Sequence, residues 1–494
     1  MPKLVIDDRE VEVEPGTNLV EAAERVGIEV PHYCYHSALK VVASCRMCFV
    51  EVTQEVRGKA QTRLVTGCNT PAADGMIVRT ITDSVKKAQN DVLEFLLINH
   101  PVDCPVCDQA GECKLQDYAF TYGTHYSRFG EPKRFRQAKK LGSGIRLYTN
   151  RCILCERCVR FLRDYVGTGE LTVKSMGNSN EIAIFPGKPI NNKLAANITD
   201  LCPVGALLAE DFLFKARVWN LKPIRSVCPG CSRGCSTFLD VRDNEVQRTR
   251  PRVNMEVNTY FICDPGRYTY HVIRHPDRLE SPIQLEGDGF RELPWQPALE
   301  TLSDKLRSAG KDAVILVSTH LTLEDYEAAK KLAEAVGTEN LAHIPNACVE
   351  REERFPGGFV IDPDRSPNAT GARKLIGKTV GEIEIGEATP VVFVINSSID
   401  AGSIGQSDLG SIRSAQFVAA VDVLRSPLVR VADMTLAGRM WAEKGGTFLN
   451  SQGREQSFAP AVFGPVQSRD ERDIARELIR QLRAVAEASA GAVA

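Results

Sequence analysis

Hydrophobic and polar positions alternate from the start of the chain. Residues 3–6 and 9–13 alternate or run apolar on either side of Asp7-Asp8, which predicts a β-hairpin. Asn18 can cap a helix that runs to about Val26 and stops at Gly27. A cysteine-bearing loop follows, then strands near 47–53, 62–66 and 76–80. A small sheet on one helix predicts a compact α+β unit. Thr82 or Asp83 then caps an amphipathic helix. Val85, Ala88, Val92, Leu93, Leu96 and Leu97 keep its period of about 3.6 residues, and it ends near His100-Pro101. From 100 to about 220 the chain reads as loop-rich, and 223–270 carries short strands such as Ser236–Val241. The texture then changes. Helix-like Ala298–Ala309 and Leu323–Val336 alternate with strand-like Ala313–Val317, Val391–Ile395 and Gln416–Val421, the pattern of an α/β layer fold. Arg472–Glu487 predicts a final helix, followed by an Ala/Gly-rich end that reads as frayed. The stretch 345–390, rich in proline, glycine and charge, predicts no clear element.

The chain has 494 residues. At roughly 100–200 residues per domain this predicts three or four domains. Hydrophobic residues make up 43%, enough for real cores, so a disordered chain is excluded. Lys+Arg 61 nearly balances Asp+Glu 63, which excludes a strongly basic nucleic-acid binder. No apolar run approaches the roughly 20 residues of a membrane span. The start, MPKLVIDDREVEVE, has neither an apolar signal core nor an Arg/Ser-rich presequence, so the expectation is a cytoplasmic protein.

Cysteine changes the picture most. There are 16, of which all but Cys348 lie between Cys34 and Cys263. That is well below the roughly 8–10% of a disulfide scaffold. Tight spacings in a cytosolic chain point to metal or redox sites. Because weak cores are often stapled by metals, the loop-rich stretch is expected to fold around them.

The cysteines sort into four sets. Cys34, Cys45, Cys48 and Cys68 supply four thiolates, the ligand count of a [2Fe-2S] centre. A structural zinc site also uses four cysteines, so the set alone leaves both open. Cys104, Cys107 and Cys113 need a fourth ligand, and His100 sits beside them. His100 could instead end the preceding helix, where a cation complements the dipole. Cys152, Cys155 and Cys158 with Cys202-Pro203 form a bacterial ferredoxin-like run. With only one such run present, Cys202 should close its own [4Fe-4S] cluster. Cys228, Cys231, Cys235 and Cys263 give four more thiolates, for which a zinc ribbon is an alternative. Fifteen cysteines and one histidine make four quartets, and Cys348 is left over. It reads as a small buried hydrophobe.

Other signatures are missing. There is no complete GxGxxG, no Walker A sequence and no hydrolytic triad, so no catalytic residue is assigned. His32 and His36 flank Cys34 and read as polar loop residues or as donors behind the first centre. His125, His271, His275, His320 and His343 are scattered. Arg46, Arg151, Arg157 and Arg160 lie near proposed ligands and read either as solvated or as cations favouring reduced clusters.

These residues resemble a known family, the large iron-sulfur subunit (the G or 75 kDa subunit) of respiratory complex I, NADH-quinone oxidoreductase. The resemblance rests on PHYCYHSALKVVASCRMCFVEV, HPVDCPVCDQAGECKLQD, TNRCILCERCVRF and DLCPVGAL within roughly residues 1–270, and the His100 ligand is part of it. The set VCPGCSRGC with Cys263 resembles an extra cluster of some bacterial members that lies off the main electron path. Residues 271–494 resemble, more weakly, the molybdopterin-oxidoreductase-like domain of these subunits, best at AEKGGTFLNSQGREQ (442–456).

The resemblance implies an α+β fold followed by α/β. Its parts are a β-grasp [2Fe-2S] ferredoxin-like domain (1–80), a His/Cys and ferredoxin-like two-cluster region (81–220), a third [4Fe-4S] module (221–270) and a shortened molybdopterin-oxidoreductase-like domain (271–494). It implies one [2Fe-2S] and three [4Fe-4S] clusters and no molybdopterin. It also implies an electron relay from the NADH/flavin module toward quinone at the cytoplasmic face of a bacterial inner membrane. The partners would be a flavin/NADH-binding subunit, a small [2Fe-2S] subunit and quinone-side iron-sulfur subunits of the peripheral arm, with the membrane reached only through them. The alternative is a subunit of a molybdenum or tungsten formate dehydrogenase or of a related hydrogenase complex. An iron-only hydrogenase needs four further cysteines, which Cys348 alone cannot supply.

Overall fold

The computed structural model describes residues 1–124, 126–287 and 289–491. His125 and the last residues of the Ala/Gly-rich end, 492–494, lie outside them. The chain divides into two units, Met1–Leu221 with Phe355–Gly358, and Lys222–Arg354 with Phe359–Ala494.

The first unit opens with strands Lys3–Ile6 and Arg9–Glu12, joined at Asp7 and Asp8. Both aspartates have positive φ, 42° and 69°, as a tight two-residue hairpin requires. The Asn18 side chain caps helix Leu19–Arg25 by accepting from Glu21 N at 3.0 Å. Strands Phe49–Val56 and Lys59–Thr66 are longer than the apolar pattern suggests, because their outer residues face solvent and leave no hydrophobic signal. Ile77–Arg79 inserts between Lys3–Ile6 (parallel) and Phe49–Val56 (antiparallel) and completes a five-stranded sheet. Leu4, Ile6, Val50, Val52 and Val78 pack with Leu19, Val20 and Ala23 of the helix into one core. This is the expected β-grasp arrangement, and Cys48 and Cys68 belong to its core. Helix Asp83–Leu97 follows, capped by the Thr82 side chain. Beyond it come short elements, including a three-stranded sheet of Lys139–Gly142, Ile145–Leu147 and Leu207–Ala209 and the helix Asn197–Leu201.

The second unit begins with an antiparallel sheet of Lys222–Val227, Ser236–Arg242 and Glu245–Pro251. Its larger part is a seven-stranded sheet. Five parallel strands run Met434–Ala437, Val418–Asp422, Val392–Ile395, Val314–Ser318, Leu341–Ile344, and an antiparallel hairpin, Ile283–Glu286 with Gly289–Glu292, extends one edge. Alternate residues enter two cores. Ile315, Val317, Phe393 and Val421 meet helices Trp295–Ala309, Leu323–Val336 and Glu471–Gly491. Val314, Leu316, Val394 and Ala420 meet Leu409, Ile412 and Leu428 on the other face. Burial on both faces explains why these strands read as continuous apolar runs. The stretch 345–390 holds two-residue strands and a short helix, Ala369–Leu375. Among the described residues no helix is long and apolar enough to cross a membrane.

Candidate iron-sulfur centres

The first set is gathered by three loops of the β-grasp unit. Cys34 N donates to Cys45 Sγ at 3.4 Å. Thiols of Cys45 and Cys68 within hydrogen-bond reach hold Cys34 well below the ordinary thiol range, and Cys68 lowers Cys48. Gly67 N bonds Cys48 O at 2.8 Å, which draws the Cys68 turn onto the Cys48 loop. Burial pushes the neighbouring His32 and His36 down to about 4 and about 3, so both are neutral. Val30 O lies 2.8 Å from His32 Nδ1, and Ala38 N donates to His36 Nδ1.

The second set surrounds the end of helix Asp83–Leu97. Cys104 opens one short turn, and Cys113 stands at the N-cap of helix Lys114–Tyr122. Arg217 ties the turn down by donating to the carbonyls of Cys104 (2.9 Å) and Cys107 (3.1 Å). Burial raises the thiols of Cys107 and Cys113, and each feels the charge of Cys104. His100, Cys104 and Cys113 line one cavity. The helix end is capped by Lys133, whose Nζ donates to Leu97 O (2.6 Å) and Ile98 O (2.9 Å). The helix-ending role that the sequence allows for His100 is thus filled by another residue. Burial, with the charges of Arg151 and Lys133, pushes His100 down to about 4, leaving a neutral imidazole.

In the third set, Cys152 and Cys155 lie on a loop where Leu154 and Glu156 have positive φ, and Leu154 N donates to Cys152 Sγ at 3.4 Å. Cys158 sits in the short helix Arg157–Arg160, and Cys202 follows helix Asn197–Leu201. Burial raises Cys155 to about 11 and Cys152 to about 12, and the four sulfurs lie close enough to raise one another. Cys202 also feels Cys113 of the second set.

The fourth set joins strand ends. Cys228 N donates to Cys235 O at 2.8 Å, closing the loop that carries Cys231. Cys263 caps helix Asp264–Tyr268 and accepts from Gly266 N at 3.3 Å, and Gly230 N donates to Cys228 Sγ at 3.5 Å. Burial raises all four thiols, Cys263 to about 12.

These donor sets fit iron-sulfur clusters on two observations. Backbone N–H groups aim at sulfur in the first, third and fourth sets, which suits thiolates. Two glycines leave space beside sulfur that a side chain would fill. A Cβ at Gly205 would stand 2.2 Å from Cys107 Sγ, and one at Gly266 would stand 2.9 Å from Cys228 Sγ. Four buried thiols cannot ionise together unless a cation shares their charge.

Three arginines read from sequence as solvated or tuning are buried: Arg151, Arg157 and Arg160. Arg46 is exposed. Arg217, Gly205 and Gly266 carried no signal, because their partners are remote in the chain. Cys348 is partly exposed rather than buried. It lies on the loop after Leu341–Ile344, where its Sγ donates to Gly402 O at 3.5 Å.

Known proteins match in the same segments. The 2Fe-2S iron-sulfur cluster binding domain matches residues 3–83, and the NADH-ubiquinone oxidoreductase-G iron-sulfur binding region matches 89–128. The NADH-quinone oxidoreductase subunit 3 ferredoxin-like domain matches 142–208. The Molybdopterin oxidoreductase Fe4S4 domain matches 221–275, and Molybdopterin oxidoreductase matches 372–481. The G subunit of NADH-quinone oxidoreductase from Rickettsia conorii is 38% identical over 341 residues, 69% of this chain and 50% of that protein. The chain is a homologue of the G subunit of NADH-quinone oxidoreductase. The 75 kDa subunit of Reclinomonas americana NADH-ubiquinone oxidoreductase is 39% identical over 62% of this chain and 43% of its own length. The mitochondrial 78 kDa subunit of Neurospora crassa is 38% identical over 69% and 45%. The chain therefore aligns with about half the length of these curated relatives. A chain of the solved structure "Crystal structure of NAD+-reducing [NiFe]-hydrogenase in the H2-reduced state" is 28% identical, with a TM-score of 0.38 over 44% of this chain and 91% of that one.

Proposed function

We propose that the chain is an electron-relay subunit of an NADH-quinone oxidoreductase, standing between an NADH/flavin module and the quinone side. The observation that carries this reading is the grouping of sixteen ligand-type side chains into four sets, each inside a segment matched by an iron-sulfur domain. Cys34, Cys45, Cys48 and Cys68 would hold a [2Fe-2S] cluster. His100, Cys104, Cys107 and Cys113 would hold a [4Fe-4S] cluster, as would Cys152, Cys155, Cys158 and Cys202. Cys228, Cys231, Cys235 and Cys263 would hold a third, off the main path. Such clusters supply one-electron redox chemistry, with potentials set by charge, hydrogen bonding and exposure.

The chain's own residues set those three variables. Burial of most of the cysteines, Cys104 being exposed, limits water at the sulfurs, the N–H···S bonds favour thiolate, and the neutral His100 removes one negative charge from its set, which favours a higher potential than an all-cysteine equivalent. The third set stands between the other two in this unit. Arg160 bridges it to the first, and Cys202 lies near Cys113 of the second. No general acid or base is required.

The reading places the chain in a peripheral arm at the cytoplasmic face of a bacterial inner membrane, reaching the membrane only through partners. A flavin/NADH-binding subunit, a small [2Fe-2S] subunit and quinone-side iron-sulfur subunits would be those partners, and no nucleic acid is involved. Purifying the tagged chain from its own cells tests this. Flavin and membrane subunits should co-purify, and NADH should reduce the chain's cluster signals. A molybdenum- or tungsten-containing formate oxidiser purified without them would contradict it.

A further inference from the structure

Two arginines join the loops of the first and third sets. Arg157 is 6% exposed and Arg160 3%. Arg160 donates through Nη2 to the carbonyls of Cys34 (2.5 Å) and Cys155 (3.2 Å), one ligand of each set, and through Nη1 to Lys40 O (2.5 Å). Arg157 donates to Leu201 O, beside Cys202, at 3.3 Å, and to Tyr35 O, beside Cys34. Its Nε meets no acceptor. Every one of these acceptors is a neutral carbonyl.

Among the described residues no carboxylate comes within ion-pair distance of either guanidinium. Asp164 feels Arg160 but is paired with Arg163 at 2.8 Å. Arg151 offers the contrast. It is as deeply buried, yet Asp103 neutralises it at 2.9 Å on the side of the second set. A buried cation without a counter-charge is costly, so something negative must face it. For Arg157 that role falls to the sulfurs of Cys155, Cys202 and Cys34, which belong to both sets.

We propose that Arg157 and Arg160 are positioning residues shared by the first and third centres, and that their two fixed charges hold both reduction potentials up together. The inference rests on the reading that these sets carry iron-sulfur clusters. Reduction adds one negative charge to a cluster, so a cation fixed beside it favours the reduced form. A cation pair seated between two centres acts on both. Neither arginine bonds a ligand of the second or fourth set, whose own neighbouring cations, Arg217 and Arg365, are untouched by the substitutions.

The test is an EPR-monitored redox titration of the assembled complex carrying Arg160→Gln, Arg160→Lys, Arg157→Gln or Arg157→Lys, with iron measured in each. The glutamine variants should lower both potentials. Each reduction constant should fall about threefold to tenfold, tenfold being about 59 mV for one electron. The other two centres should move by less than about twofold. The lysine variants keep the charge and should stay within that same margin for all four. A shift confined to one centre, equal shifts with glutamine and lysine, or no shift would overturn the inference. If Arg160→Gln loses iron, Arg157→Gln carries the same expectation, because it holds only carbonyls adjacent to ligands. Unmutated protein lacking iron in these sets would instead remove the underlying reading.

Discussion

Alanine at position 205 would place a methyl carbon 2.2 Å from Cys107 Sγ and 3.1 Å from Gln109 Cβ. Unstrained contact needs about 3.5–4.0 Å, so a retreat of roughly 1.3–1.8 Å is required. The Gly205 backbone is poorly placed to supply it. Its carbonyl accepts from Arg151 Nη1, and the neighbouring carbonyls of Pro203 and Ala206 accept from Lys114 N (3.1 Å) and Tyr148 N (2.7 Å). The sulfur must therefore move. Overpacking that can relax costs ~1–3 kcal/mol, too little to unfold the unit. A metal–ligand distance, however, tolerates only about 0.2 Å. Gly205→Ala should therefore lose the second centre and leave the fold standing. Iron should fall by about four atoms per chain, with one EPR signal lost and the others kept. Full iron with all signals unchanged would refute the placing of Cys107 as a ligand facing Gly205.

Three further outcomes are expected. His100→Ala should disturb the EPR signal of the second centre alone, and an unchanged spectrum would remove His100 from the ligand set. Lys444 is buried between Asp325 (2.8 Å) and Glu471 (2.6 Å), so Lys444→Met removes the cation between two buried carboxylates and leaves only Arg472, 3.8 Å from Asp325. That should cost ~3–5 kcal/mol in denaturant unfolding of the second unit, and a loss below ~1 kcal/mol would contradict the buried triad. Cys348, raised to about 11 by burial and by Asp400, should be the one thiol to react in the native protein. Its alkylation should be slow at pH 8 and rise about tenfold per pH unit toward pH 10, because the thiolate is the reacting form; a rate already level at pH 9 would contradict the raised value.

The candidate ligands stand out in the sequence because each of the four sets contains a Cys-x2-Cys step, and such spacing is a local property. The parallel strands were legible for a related reason. A strand buried on both faces, such as Val314–Ser318, writes its environment into consecutive residues. Strands with a solvated face, such as Lys59–Thr66, are visible only where their apolar residues begin. The stretch 345–390 was opaque because remote partners order it. Asp362 accepts from Ser232 and Ser451, and Asn368 joins Leu321 O to Leu449 N. Lys444 and the arginines were opaque for the opposite reason. Their residue types predict solvent exposure, and only distant carboxylates or ligand loops explain their burial.

Iron and acid-labile sulfide per chain test the central claim most directly. One [2Fe-2S] and three [4Fe-4S] clusters predict about 14 iron atoms and an equal amount of sulfide, without stoichiometric zinc, molybdenum or tungsten. Zinc at one or more atoms per chain with a matching shortfall of iron would show that at least one of the four sets is a structural site, and would contradict the account.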